Sequence, residues 1–129
     1  MKKIAIYWKW WIWKSTVASH LSVAFALSWK KTLQVWCDPK HDSCKRLTEK
    51  NIPTVIELSK DGLNKIKTEK IINKWKFGID CIEVWWPVAW SWCAGRWVAL
   101  MFEIFEDEKI LEKQDYDVTI FDILGDVVC

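Results

Sequence analysis

Four short apolar runs set the architecture open to this chain: residues 3–7, 32–35, 79–84 and 118–122. Each is strand-length, and the stretches between them carry helical spacing, so the pattern predicts strands alternating with helices. From Ser15 onward Val17, Leu21, Ala24 and Leu27 recur at intervals of three and four, with Ser15 or Thr16 expected as the helix cap. A Lys-rich, mostly helical stretch is expected as far as Lys74, broken at Pro53 and Gly62. A further helix is expected over 98–105, running on through acidic residues toward Lys113. This order predicts an α/β fold with a doubly wound, mainly parallel sheet. The 129 residues are one domain's worth, with no repeat or linker, so 1–129 reads as a single unit.

Charge and cysteine usage narrow the function. Nineteen Lys and Arg against 17 Asp and Glu leave a net charge of +2, which gives no electrostatic reason for a nucleic-acid or membrane partner. No apolar run approaches the ~18 residues that a membrane span needs. Met1-Lys2-Lys3 leads too quickly into a strand to be a signal peptide, so a cytoplasmic location is expected. Five cysteines without a close CxxC pair are neither a disulfide framework nor a zinc ribbon. Cys37, Cys44 and Cys81 read as small buried apolar residues, and His20 as exposed or structural.

Twelve Trp against four Gly inverts ordinary usage, in which Gly averages about 7%. The positions of the indoles are informative. Strand, seven-residue loop, Lys-Ser-Thr and helix is the layout of a phosphate-binding loop, G-x-x-x-x-G-K-S/T, whose glycines let backbone amides converge on phosphate. Here that segment is Trp8-Lys9-Trp10-Trp11-Ile12-Trp13-Lys14-Ser15, with Lys14 and Ser15 in place and both required glycines replaced.

Read with glycine at its tryptophans, this segment becomes G-K-G-G-I-G-K-S-T and resembles the phosphate loop of the nitrogenase iron protein family. Val35-Trp36-Cys37-Asp38-Pro39-Lys40 becomes that family's V-G-C-D-P-K. Trp85-Trp86-Pro87 through Trp97 becomes G-G-P-V-A-G-S-G-C-A-G-R-G, similar to its first cluster-ligand loop. Asp122-Ile123-Leu124-Gly125-Asp126-Val127-Val128-Cys129 resembles the second ligand segment unaltered, and Trp29 stands where a helix-ending glycine is expected. Lys40-His41-Asp42-Ser43 and Pro87-Val88-Ala89 resemble the branch that reduces tetrapyrroles. That branch includes the protochlorophyllide-reductase iron proteins and the reductive cyclase of coenzyme F430 assembly.

The resemblance implies an ATP-dependent electron donor, an oxidoreductase component that passes electrons from a 4Fe–4S cluster to a partner reductase. MgATP would lie on Lys9, Trp10, Trp11, Ile12, Trp13, Lys14, Ser15 and Thr16, with Lys40 close by. Lys14 would contact the β- and γ-phosphates, Ser15 would ligate Mg²⁺, and Lys9 would reach the partner subunit's nucleotide. Asp38 and Asp42 would belong to the first switch, Asp122 would be the Walker-B-type carboxylate, and Asp126 would couple nucleotide to cluster. Cys93 and Cys129 would be the cluster ligands and Arg96 would sit on the docking surface. Two ligands per chain imply a homodimer sharing one cluster.

Other readings are a nitrogenase iron protein proper, a ParA/MinD-like ATPase without a cluster, and a Trp/Lys-rich segment binding membrane or single-stranded nucleic acid. Tryptophan in left-handed backbone costs roughly 1–2 kcal/mol, and an indole forced into a packed turn ~1–3 kcal/mol more. Repeated along the chain, such terms rival a domain stability of roughly 5–15 kcal/mol. The family sequence also continues beyond the position of Cys129. The chain as it stands is therefore expected to be inactive and not to bind MgATP measurably; calorimetry giving a micromolar dissociation constant contradicts this.

Overall fold

The computed structural model describes residues 1–7, 13–37, 52–59, 67–84 and 94–123, with the backbone alone at 56, 59, 94–98 and 100. Within these, β1 (Lys2–Ile6), α1 (Lys14–Leu27) and β2 (Thr32–Cys37) are followed by two short helices, α2 (Val55–Ser59) and α3 (Thr68–Ile71). Then come β3 (Asn73–Lys74), β4 (Asp80–Glu83), α4 (Ala94–Asp107), α5 (Ile110–Lys113) and β5 (Val118–Ile123). The strands form one sheet in the order β1-β5-β2-β4-β3. The four runs expected to be strands are its four parallel members, and β3 pairs antiparallel with β4.

Both faces of the sheet are covered, which explains why all six residues of β2 are buried. On one face Leu33, Val35 and Cys37 pack with Val55, Ile71, Met101, Ile104, Phe105 and Ile110 from the later helices. On the other, α1 lies across β2 and β5: Ala18 meets Val118 and Ile120, while Val23 and Ala26 meet the cluster of Trp36, Trp75, Ile79 and Cys81. Helices on both faces of a mostly parallel sheet make the doubly wound arrangement that the sequence predicts.

Three local expectations need correction. α1 begins at Lys14 rather than Ser15, and its N-cap is Trp13, which makes no side-chain capping bond. Its buried stripe is Lys14, Ala18 and Ser22, whereas Val17 and Leu27 are exposed. The helix is held by Lys14 turning toward the sheet, and small side chains one and two turns later let it lie close. The end of the Lys-rich stretch is strand, not helix: Asn73 and Lys74 pair with Cys81 and Asp80 across a tight return. Phe77 and Gly78 take positive φ there, at 63° and 73°. The last helical stretch breaks at Lys109, φ 50°, so α4 and α5 are separate. A capping box starts α2, with Thr54 N–H donating to Glu57 Oε2 at 2.9 Å and Glu57 N–H to Thr54 Oγ1 at 3.1 Å.

The turn that ends α1 is closed by two backbone hydrogen bonds. Lys30 N–H donates to Phe25 O and Trp29 N–H to Ala26 O, both at 3.0 Å. This is a Schellman closure, which requires a left-handed residue at position 29. Trp29 supplies it at φ 60°, with its indole 95% exposed. The ring therefore gains no burial to offset the strain. Trp29→Gly is expected to stabilise the chain by about 1 kcal/mol, read as a higher denaturation midpoint; an unchanged or lower midpoint contradicts this account of the turn.

Candidate functional site

The carboxyl ends of β5 and β2 and the first turn of α1 meet at one place. Parallel pairing puts Asp122 of β5 beside Ile6 of β1 on one side and Trp36 of β2 on the other, and Trp36 in turn beside Glu83 of β4. Strand alternation then sends Asp122, Trp36 and Glu83 to the α1 face. Lys14, the first residue of α1, points its side chain under the helix into this group.

The ammonium of Lys14 donates to the carbonyl oxygen of Ile123 at 2.6 Å and lies 3.3 Å from Asp122 Oδ1. The two charged side chains are 4% and 0% exposed. The indole N–H of Trp36, itself 1% exposed, donates to Asp122 Oδ2 at 2.9 Å. Ser15 also hydrogen-bonds the Asp122 carboxylate. Burial pushes the Asp122 carboxyl above its ordinary value of 3.8, while the charge of Lys14 and the hydrogen bonds from Ser15, Lys14 and Trp36 hold it down. Desolvation wins, and the net direction is upward.

A buried ammonium, a hydroxyl and a carboxylate at a helix N-terminus form a donor set for a metal-bound phosphate. The helix end favours an anion, Lys14 can exchange carbonyl and carboxylate oxygens for phosphoryl oxygens, and the hydroxyl and carboxylate are hard oxygen ligands of the kind Mg²⁺ takes. Of the residues expected at the site, the structure brings Lys14, Ser15 and Asp122 together. Thr16 lies half-buried in the same turn and Trp13 is exposed just before it. Lys9, Trp10, Trp11, Ile12, Asp38, Lys40, Asp42, Cys93, Asp126 and Cys129 lie outside the described residues, as do Cys44 and the side chain of Arg96.

Three participants escaped sequence reasoning: the Ile123 carbonyl, the Trp36 indole and buried Glu83. A carboxylate inside the apolar run Cys81-Ile82-Glu83-Val84 was the available signal for the last. Cys37 and Cys81 are buried as expected. Cys37 lies 3.6 Å from the Met101 sulfur; burial, with Asp80 and Glu83 nearby, pushes the Cys81 thiol well up, so Cys81 is not a ready thiolate. His20 is exposed.

Comparison with known proteins gives the site a context. Residues 2–129 match the family described as 4Fe-4S iron sulfur cluster binding proteins, NifH/frxC family. The light-independent protochlorophyllide reductase iron-sulfur ATP-binding protein of Rhodopseudomonas palustris (strain HaA2) is 41% identical over 99% of this chain. The protein of the same description from Synechococcus sp. (strain WH7803) is 40% identical over 98% of it. The chain spans 41% and 43% of their respective lengths. Among solved structures, cobyrinic acid a,c-diamide synthase from Mycobacterium smegmatis with a bound ATP analog and magnesium superposes with a TM-score of 0.67 at 18% identity, covering 95% of this chain and 50% of that one. Apo McdA from Cyanthece gives 0.61 at 18% identity, covering 95% and 49%. These two likenesses concern the fold.

The raised Asp122 carboxyl sets a pH dependence. Between its unfolded and folded pKa the folded state holds the extra proton, so the stability that Asp122 contributes is fully present below the ordinary value of 3.8 and is lost as pH rises through the window above it. Asp122→Asn is expected to flatten that slope in urea unfolding measured from about pH 4 upward; an unchanged slope shows that Asp122 does not carry it.

Proposed function

The chain belongs to the NifH/frxC family of 4Fe–4S iron–sulfur cluster binding proteins, and from that membership we propose that the whole protein is an ATP-dependent electron donor to a partner reductase. The observation that carries the nucleotide half is the convergence of Lys14, Ser15 and Asp122 at the carboxyl ends of the strands. Lys14 would hold the β- and γ-phosphates, Ser15 the Mg²⁺, and Asp122 would be the Walker-B-type carboxylate, with Lys9 acting across a dimer, Lys40 near the nucleotide, and Asp38 and Asp42 in the first switch. Bound MgATP would supply the free energy that changes the protein's shape. The chain's own contribution begins at Lys14. Its ammonium is tied to the carbonyl of Ile123, the residue that opens the segment Leu124-Gly125-Asp126-Val127-Val128-Cys129. Lys14 turned toward a phosphate would give up its charge-assisted hydrogen bond to that carbonyl, and Asp126 would carry the change toward Cys129.

The donor set for the cluster is Cys93 and Cys129, with two identical chains completing four thiolates. The relatives named for protochlorophyllide reduction support a tetrapyrrole as the partner's substrate, and Arg96 would lie on the surface that meets the partner. The buried, protonated character of Cys81 and the apolar setting of Cys37 support leaving both out of the ligand set. Tryptophan at 8, 10, 11 and 13 opposes phosphate binding in the chain as it stands, so activity is assigned to a full-length form with glycine at those positions.

In that form Cys93→Ala and Cys129→Ala are each expected to abolish the cluster, because each removes two of four ligands from a dimer. Cys37→Ala, Cys44→Ala and Cys81→Ala are expected to keep it. The measurements are iron content, reduced-state EPR and subunit mass by sedimentation. Cluster loss on replacing Cys37, or a complete cluster in each monomer, contradicts the assignment.

A further inference from the structure

The twelve tryptophans behave as one set. Four lie in the phosphate loop, at 8, 10, 11 and 13, including both positions where the motif demands glycine. Five more, at 85, 86, 90, 92 and 97, surround Cys93. Yet the residues between them are intact: Lys9, Ile12, Lys14, Ser15 and Thr16 in the first segment, and Pro87, Cys93, Gly95 and Arg96 in the second. A chain drifting free of its function would lose its lysine, serine and cysteine ligands along with its glycines. It would also replace glycine with alanine, serine or aspartate, each as accessible by a single base change, rather than with tryptophan every time.

The structure adds two observations independent of these motifs. Trp29 occupies the left-handed closing position of α1, φ 60°, held by Lys30 N–H to Phe25 O and Trp29 N–H to Ala26 O. Glycine adopts that conformation at no steric cost. Trp29 does so with its ring 95% exposed, a combination in which nothing about the indole is used. Trp36 is the opposite case. It is buried against Trp75 with ring centroids 6.1 Å apart, and its N–H occupies Asp122 Oδ2. Without that indole this oxygen of the carboxylate loses its Trp36 donor.

We infer that these positions are glycine in the protein as its own cell makes it, because the codon they share is decoded there as glycine. The codon UGA fits: some genetic codes read it as tryptophan, it differs from the glycine codon GGA by one base, and a glycine tRNA with one altered anticodon base would read it. One such change accounts for all twelve positions at once, Trp75 included. The four remaining glycines, Gly62, Gly78, Gly95 and Gly125, would carry ordinary GGN codons. The inference deepens the functional reading, because it restores the backbone freedom that phosphate binding at Lys14 requires.

The test reads the residues themselves, so it stands apart from whether the protein proves to be an electron donor. The protein is purified from its source organism, cleaved after lysine and analysed by mass spectrometry, and the gene is sequenced. The peptide of residues 15–30 contains Trp29 alone among the twelve, and that of residues 32–40 contains Trp36 alone. Both are expected at the mass of a glycine-containing peptide, with UGA at the twelve positions and GGN at the four glycines. Peptides at the mass of tryptophan overturn the inference, whichever codon encodes them. Glycine masses together with UGG codons would still establish glycine but overturn the assignment to UGA.

Discussion

Two opposite charges almost without solvent contact, on Lys14 and Asp122, hold the arrangement of the strand ends. Burying either alone is costly, and removing one partner of such a pair typically costs about 3–5 kcal/mol. The pair is therefore only tolerable where its geometry is fixed. The fold fixes it from three sides: β5 lies between β1 and β2 and presents Asp122, Trp36 bonds its second oxygen from β2, and α1 starts where Lys14 can reach across to Ile123 O. The same requirement sets the register of α1 on the sheet. The stripe of Lys14, Ala18 and Ser22 is pulled inward by its first member, and Val17 and Leu27 are left outside.

That priority of an electrostatic anchor over apolar burial explains what could and could not be read in the sequence. The four parallel strands were legible because their residues are buried on both faces and so form continuous apolar runs. The register of α1 was not, since periodicity counts hydrophobes and the buried stripe here begins with a lysine and continues with small residues. Two-residue β3 is too short to leave a pattern and exists through its pairing with β4. At the site, Lys14 and Ser15 were legible from their position after a strand and loop, and Asp122 as the carboxylate closing an apolar run. The contact of Trp36 with Asp122 joins residues 86 apart and depends on strand order, which no local motif encodes. The functions implied for Lys9, Lys40, Asp126 and the two cluster cysteines rest on motif and family membership.

The tryptophans give the sequence two conflicting messages, and the structure separates them. At 29 the backbone follows the glycine-type turn and the indole is carried outside it. At 36 the indole is absorbed into the core beside Trp75 and donates a hydrogen bond to the carboxylate. The fold accommodates both, which is why strand order and the Lys14–Asp122 pair remain recognisable. Phosphate binding is less forgiving, since it needs backbone amides rather than side chains at the loop.

Lys14, held by Asp122 and Ile123, is the group proposed to receive phosphate. Its most direct measure is calorimetric titration of MgATP into a full-length, glycine-bearing form and its Lys14→Ala variant. Loss of a buried charge-assisted contact predicts a dissociation constant weaker by at least about tenfold, measured on variant protein that circular dichroism shows to be folded. Equal affinity for the two forms contradicts the account.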